Sequence, residues 1–424
     1  MNLDQYVRRL KKVVPRAGIT AYLDSRPGTG YVNALVAVNA GAWRAPKGAE
    51  IIPEVIAEML DEGTHEMSRD ELRAELESLG TDVSFEVGGE RLVSRIEMLR
   101  GGAERTWELV GSMLTKSAFE ESSYRVVRER LLSEYREDEE DTRKLSYAGL
   151  TQLLYAKGSA LRALLPQEKK RILETIDSNR VRTHASHTLR GDMIIVVVGD
   201  MTASELNTML TRSLKHWNTA PGKTSVARLI PEPSIRPSHV IQVKEKENVD
   251  VYWGRTTDVR AQDSEFASLS TAVEMLGSGG FTGHLMKTVR DRDGLTYGIY
   301  ARLRDTMSSL PLMAFVSATF GNNLYEKGVR ATEREIEEWL ATHITAKALR
   351  AKKEELRGSY LVSLEDPEDV AWRLLATVCS GRPLSEFATY PKRVQKLTVS
   401  EVRLAAKKWL TSDSFVRSSA GSIE

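Results

Sequence analysis

Cysteine is nearly absent. Cys379 is the single one in 424 residues, which excludes an internal disulfide and any multi-cysteine metal site. A surplus of charge is also lacking. Sixty basic residues face 59 acidic ones, for a net charge of +1, so the basic excess of a general nucleic-acid binder is missing. Long apolar runs are lacking too. The longest is Met193 to Val198 (MIIVVV), far too short for a membrane span, and the N-terminus MNLDQYVRRLKKVVPRAG has no apolar signal core. The expected compartment is therefore the cytoplasm, or the periplasm where a leader has been removed.

What is present is a large hydrophobic fraction, 41%, in a chain longer than single cores usually grow. Residues 18–24 and 31–38 read as strands, rich in β-branched and aromatic residues. A helix is expected over 51–61, where Ile51, Ile52, Val55, Ile56, Met59 and Leu60 make one apolar stripe. Ser68 and Glu71 form a capping box for the next helix. A hairpin turns at Gly88-Gly89 between 83–87 and 91–98. Helices follow over 103–116, 122–141 and 143–155, and a strand at 193–198 closes this half.

Residues 218–237, rich in Pro and small polar residues, read as a linker between an N-terminal domain, 1–217, and a C-terminal one, 238–424. The second half repeats the plan. Strands at 239–243 and 249–254 precede a helix at 262–276. Strands at 295–303 and 311–319 come next, then helices at 323–341, 345–363, 367–379 and 398–410, and a last strand near 414–419. Glu58-Met59-Leu60 and Glu274-Met275-Leu276 each end a helix before a glycine. The matched element order points to a tandem duplication of one α+β unit, each copy a mostly antiparallel sheet against several helices.

The words GAWRAPKG (41–48), EMLDEGT (58–64), LESLGTDVSF (76–85), MIIVVVGDM (193–201) and GSGGFTGHLMKTVRDRDGLTY (277–297) occur in that order. Their order and spacing resemble the pitrilysin or insulinase-like metallopeptidases, a family that includes the mitochondrial processing peptidase and the respiratory core proteins. The resemblance implies two tandem α+β domains forming half of a clamshell. It also implies a site. Active members carry H-x-x-E-H on the first long helix, two zinc-binding histidines with a glutamate that activates water, and a further glutamate on a later helix. Aligned on MLDEGT, those positions hold Glu54, Ala57, Glu58 and Glu134 here. Both histidines are glutamates and the general base is an alanine. Three carboxylates suit a hard cation such as Ca²⁺ or Mg²⁺ in principle. The preferred reading is a solvated helix face with no metal in this chain.

The second half keeps what the first has lost. Gly277, Gly279 and Gly280 read as a flexible loop, followed by a helix to about 290 and a Gly294 turn into the strand. By resemblance, Arg290 and Tyr297 face the active site and donate hydrogen bonds to substrate backbone and oxyanion. The ordinary alternatives are a cation favoured at a helix C-terminus and an aromatic on the core side of a strand. Gly283-His284 departs from the family pattern in this segment. Elsewhere His184 and His187 (HASH) lack a glutamate, His65 and His284 stand alone in sequence, Cys379 lies on an apolar helix, and EDEED (137–141) reads as a solvated helix end. The resemblance implies a non-catalytic, substrate-binding subunit of a heterodimeric zinc peptidase. A homologous zinc-bearing subunit and an extended peptide are the expected partners, with zinc in the partner. The rival readings are a purely structural subunit of the core-protein kind and a homodimeric peptide-binding protein without proteolysis.

Overall fold

The structure, a computed structural model, describes residues 3–221, 238–277 and 282–423. Eleven strands are present among the described residues: β1 (Lys11–Arg16), β2 (Ile19–Ser25), β3 (Tyr31–Val38), β4 (Asp82–Val87), β5 (Leu92–Leu99), β6 (Met193–Gly199), β7 (Ser238–Gln242), β8 (Asn248–Arg260), β9 (Thr296–Arg304), β10 (Pro311–Gly321) and β11 (Val416–Gly421). The helices are α1 (Leu3–Arg9), α2 (Ile52–Met59), α3 (Arg69–Ser78), α4 (Ala103–Lys116), α5 (Glu121–Asp138), α6 (Thr142–Leu154), α7 (Pro166–Leu173), α8 (Ser178–Thr188) and α9 (Ala203–Ser213). The second half adds α10 (Phe266–Leu276), α11 (Tyr325–Glu338), α12 (Ala346–Val362), α13 (Pro367–Cys379), α14 (Glu386–Lys396) and α15 (Val399–Trp409).

The chain packs as two compact units, and each takes a segment from the other's stretch of sequence. The first comprises Met1–Tyr135, Gln167–Arg228 and Val362–Cys379; the second comprises Arg136–Pro166, Leu229–Leu361 and Ser380–Glu424. Most of the expected linker, residues 222–237, lies outside the described residues.

In the first unit six strands run in the order β1-β2-β6-β3-β5-β4. β2 and β6 are parallel, and every other neighbouring pair is antiparallel. The centre of the sheet is β6 and β3, whose sequences MIIVVVG and YVNALVAV are apolar without alternation, as burial on both faces requires. In the second unit five strands run β7-β11-β8-β10-β9, with β7 and β11 parallel and the rest antiparallel.

The two sheets repeat one another. Read from β2, the first has its strands in the spatial order first, last, second, fourth, third. The second has the same order, and in both the first and last strands are the parallel pair. The duplication expected from the matched element order is thus carried by topology. α2 follows the second strand of its repeat, and α10 follows the second strand of the other.

Periodicity locates the long helices, but not the sheet that each covers. α6 joins the second unit, where Leu150 and Leu154 pack with Met313, Phe315 and Val416. α13 joins the first unit, against β6 and β3. Several short elements were not expected from the sequence: α1, β1, α7, α8, α9 and α14.

Candidate functional site

α2 is short because its signals are weak. Ile51 caps it without a side-chain bond and Pro53 stands in its first turn. Ile52, Val55, Ile56 and Met59 bury its apolar stripe. Glu54 and Glu58, four residues apart, fall together on the remaining face. Ala57, where the resemblance places the general base, is buried at 5% exposure and has no titratable group.

The solvated-face reading of these glutamates needs correction. Both are half-buried, and each is matched by a cation from outside its own helix. The ammonium of Lys169, on α7, donates to both carboxylate oxygens of Glu54 at 3.0 Å and lies 4.9 Å from the Tyr135 ring centre. Arg130, on α5, donates to Glu58 at 2.7 Å and also lies 3.7 Å from Glu62. Arg69 approaches Glu62 at 3.4 Å. Helix geometry brings this about. Arg130 and Glu134 are one turn apart on α5, and Tyr135 turns inward at 1% exposure. Glu134 itself is exposed.

The electrostatics follow from burial. Desolvation raises the Glu58 carboxyl above the usual range, Arg130 opposes it, and Glu134, Asp61 and Glu54 add to the rise. Glu62 is raised for the same first reason, with Arg69 opposing. Burial and the charge of Glu54 hold the Tyr135 phenol far above its ordinary range. No group of three or more His, Cys, Asp or Glu among the described residues is placed to hold a metal ion. At the positions that the resemblance gives to zinc, Glu54 and Glu58 are carboxylates neutralised by side-chain cations and Ala57 is aliphatic, a set that fits zinc poorly.

Lys169 and Arg130 were not foreseen as site residues. Arg130 was legible in hindsight, one turn before Glu134 on the same helix. Lys169 carries no local signal, because only tertiary folding brings α7 beside α2.

In the second unit, Gly277 ends α10 and its carbonyl accepts from the Ala301 amide at 3.1 Å. A β-carbon at 277 would lie 2.7 Å from the Ala301 nitrogen, so the glycine is required by close approach of two backbones. Gly279 and Gly280 lie outside the described residues. The helix that follows is π-helical over Met286–Arg292, a form concentrated at functional sites. Arg290 lies on it, half-buried, and pairs with Asp291 at 3.0 Å.

Tyr297 is the second residue of β9 and is 97% exposed. Its outward aim has a visible cause. The β9–β10 register shifts between Ala318 and Phe320, which pair with Ile299 and Thr296, leaving an extra residue in β9. Such a bulge re-aims a side chain. The Thr296 hydroxyl fixes it, donating to the Thr319 carbonyl at 2.6 Å and accepting from the Gly298 amide at 3.1 Å. The core-side alternative for Tyr297 does not hold.

The neighbouring segment is held by a buried acid. Glu335, on α11 and 1% exposed, receives Arg292 at 2.7 Å and Arg334 at 3.0 Å. His284 lies 3.4 Å from its other oxygen and packs against His343, the rings tilted by 50° with 4.5 Å between centres. His284 is thus a packing residue with partners, although it stands alone in sequence. Cys379 is buried, and burial pushes its thiol up to about 11.

Comparison with known proteins agrees with this picture. Residues 181–356 match the family described as the Peptidase M16 inactive domain. A protein of Helicobacter pylori named "Non-peptidase homolog YmxG" is 22% identical over 374 residues, covering 87% of this chain and 83% of that protein. The crystal structure of a peptidase M16 inactive domain from Pseudomonas fluorescens superposes with a TM-score of 0.87 at 20% identity, over 97% of both chains. The periplasmic protease PqqL of Escherichia coli has a TM-score of 0.75 at 13% identity; 97% of this chain matches 46% of that one.

Proposed function

From the match of residues 181–356 to the Peptidase M16 inactive domain, we propose that the chain is an M16-type protein of the inactive kind and the substrate-binding subunit of a two-chain zinc metalloendopeptidase. It brings Arg290 and Tyr297 to a partner's zinc site. The partner is a homologue with an intact H-x-x-E-H motif, and the substrate is an extended peptide. The compartment we propose is the cytoplasm, or the periplasm where a leader has been removed.

The observation that carries this reading is Tyr297, fully exposed on a pinned bulge within one short segment of Arg290. A guanidinium and a phenol presented outward are suited to a carbonyl oxygen that gains charge during attack. The motif positions offer no general base, since Ala57 accepts no proton and Lys169 and Arg130 neutralise the carboxylates beside it. Donors without a nucleophile make chemical sense when another chain supplies zinc and water. A match to only 46% of a longer protease of the same fold is the proportion that a two-chain assembly calls for.

The test is co-purification of the tagged chain from its native cell, followed by a peptidase assay of whatever accompanies it. The reading calls for a one-to-one complex with zinc in the partner, and for lower turnover when Tyr297→Phe is introduced. Assembly with no peptide cleavage under any condition favours the structural rival instead.

A further inference from the structure

Away from both segments, the first unit holds an open cavity of about 350 Å³ lined by Pro46, Ile52, Asn179, Arg180, Thr183, His184 and His187. That volume falls in the usual range of small-molecule sites. Its two walls differ in chemistry. One is apolar, made by Pro46 and by Ile52 at the start of α2. The other is a stripe on α8: Arg180, Thr183, His184 and His187 recur at i, i+3, i+4 and i+7, one helical face.

Two observations favour this wall as a surface for an anion. The side chains of Asn179, Arg180, Thr183 and His187 hold no hydrogen bond or ion pair among the described residues. His184 is 8% exposed, and its buried Nε2 has no hydrogen-bond partner. A buried polar atom of this kind costs free energy unless a partner arrives. Burial, then the charges of His187 and Arg180, hold His184 down to about 4, so its imidazole is neutral near pH 7.

We propose that this cavity binds a small carboxylate, with the carboxylate on Arg180 and His187 and its apolar part against Pro46 and Ile52. The source is either a free organic acid or the C-terminus of a peptide. Both present the same group.

The test uses the whole chain and needs no partner, so it stands or falls apart from the peptidase reading. Side-chain imidazole NMR signals are followed while isovalerate is added, with isovaleramide as the neutral control. The proposal expects saturable shifts at His184 and His187 with isovalerate and none with the amide. Arg180→Ala, at an exposed position, should leave the circular dichroism melt unchanged and weaken the interaction roughly tenfold or more, as loss of a charged hydrogen bond implies. A hexapeptide with a free C-terminus and its C-terminal amide separate the sources: binding of the acid alone, far tighter than isovalerate, assigns the site to peptide ends. The proposal is overturned if neither isovalerate nor the peptide acid gives a saturable shift. Equal shifts with isovaleramide, or an unchanged affinity in Arg180→Ala, also overturn it.

Discussion

Replacing Lys169 by Met removes the ammonium that holds Glu54 and keeps most of the stem that packs beside it. The ammonium is 3.0 Å from both Glu54 oxygens and 4.9 Å from the Tyr135 ring centre. The two side chains are 26% and 34% exposed, so the pair stands between a buried and a surface one. A charge-assisted bond contributes roughly 1.5–3 kcal/mol when sheltered and about 0–1 when exposed, and the cation over the ring adds about 0.5–1. The expected loss is about 2 kcal/mol, or a melting temperature lower by roughly 4–8 °C for a unit of this size. A surface pair provides the control. Arg330 and Glu326 pair at 3.2 Å with side chains 69% and 70% exposed, so Arg330→Met should cost about 0.5 kcal/mol or less. The assay is calorimetric melting of both variants and the parent at one ionic strength. A Lys169→Met melt no lower than that of Arg330→Met would refute the view that Lys169 is the built-in counter-charge of the degenerate motif.

Rebuilding the motif as Glu54→His, Ala57→Glu and Glu58→His should bind no stoichiometric zinc while Lys169 and Arg130 remain, and elemental analysis of that variant with and without Lys169→Met checks this. Gly277→Ala should destabilise the second unit by about 1–3 kcal/mol, because its β-carbon would meet the Ala301 backbone; urea unfolding measures it. Acid stability should have a histidine limb. His184 and His284 are held down from 6.5 to about 4, first by burial and then by His187 and Arg180 in one case and His343 in the other. A depressed histidine is neutral in the fold and takes its proton more readily when unfolded, so its contribution is complete above pH 6.5 and lost as the pH falls toward 4. For His184 the span is about 3 kcal/mol, and the acid limb of the melting profile should flatten in His184→Gln.

The sequence made the fold legible where a pattern was local. MIIVVV named a buried strand, Ser68 and Glu71 named a cap, and both were found. The repeat was legible in the matched order of elements, with Glu-Met-Leu at two helix ends beside it, and the strand order of the two sheets matches as well. What stayed hidden depends on contacts distant in the chain. An apolar stripe says that α6 and α13 bury a face but not which sheet receives it. The loss of metal ligands could be read from Glu54, Ala57 and Glu58, but the cations that answer those glutamates arrive from α5 and α7. Tyr297 was placed on a strand, and its exposure followed from a bulge that no residue spacing announces.

The most direct measurement is peptide hydrolysis by the chain assembled with the proposed partner, a homologue carrying zinc, comparing the parent, Tyr297→Phe and Arg290→Ala at equal zinc content. Tyr297 is 97% exposed, so its hydroxyl can be removed without disturbing a core. The account predicts that kcat falls on the order of 10²–10³-fold for Tyr297→Phe, with assembly unchanged. It predicts that Arg290→Ala lowers kcat and raises KM. Unchanged kcat and KM for both variants, in a complex with full zinc occupancy, would contradict it and leave a structural subunit in its place.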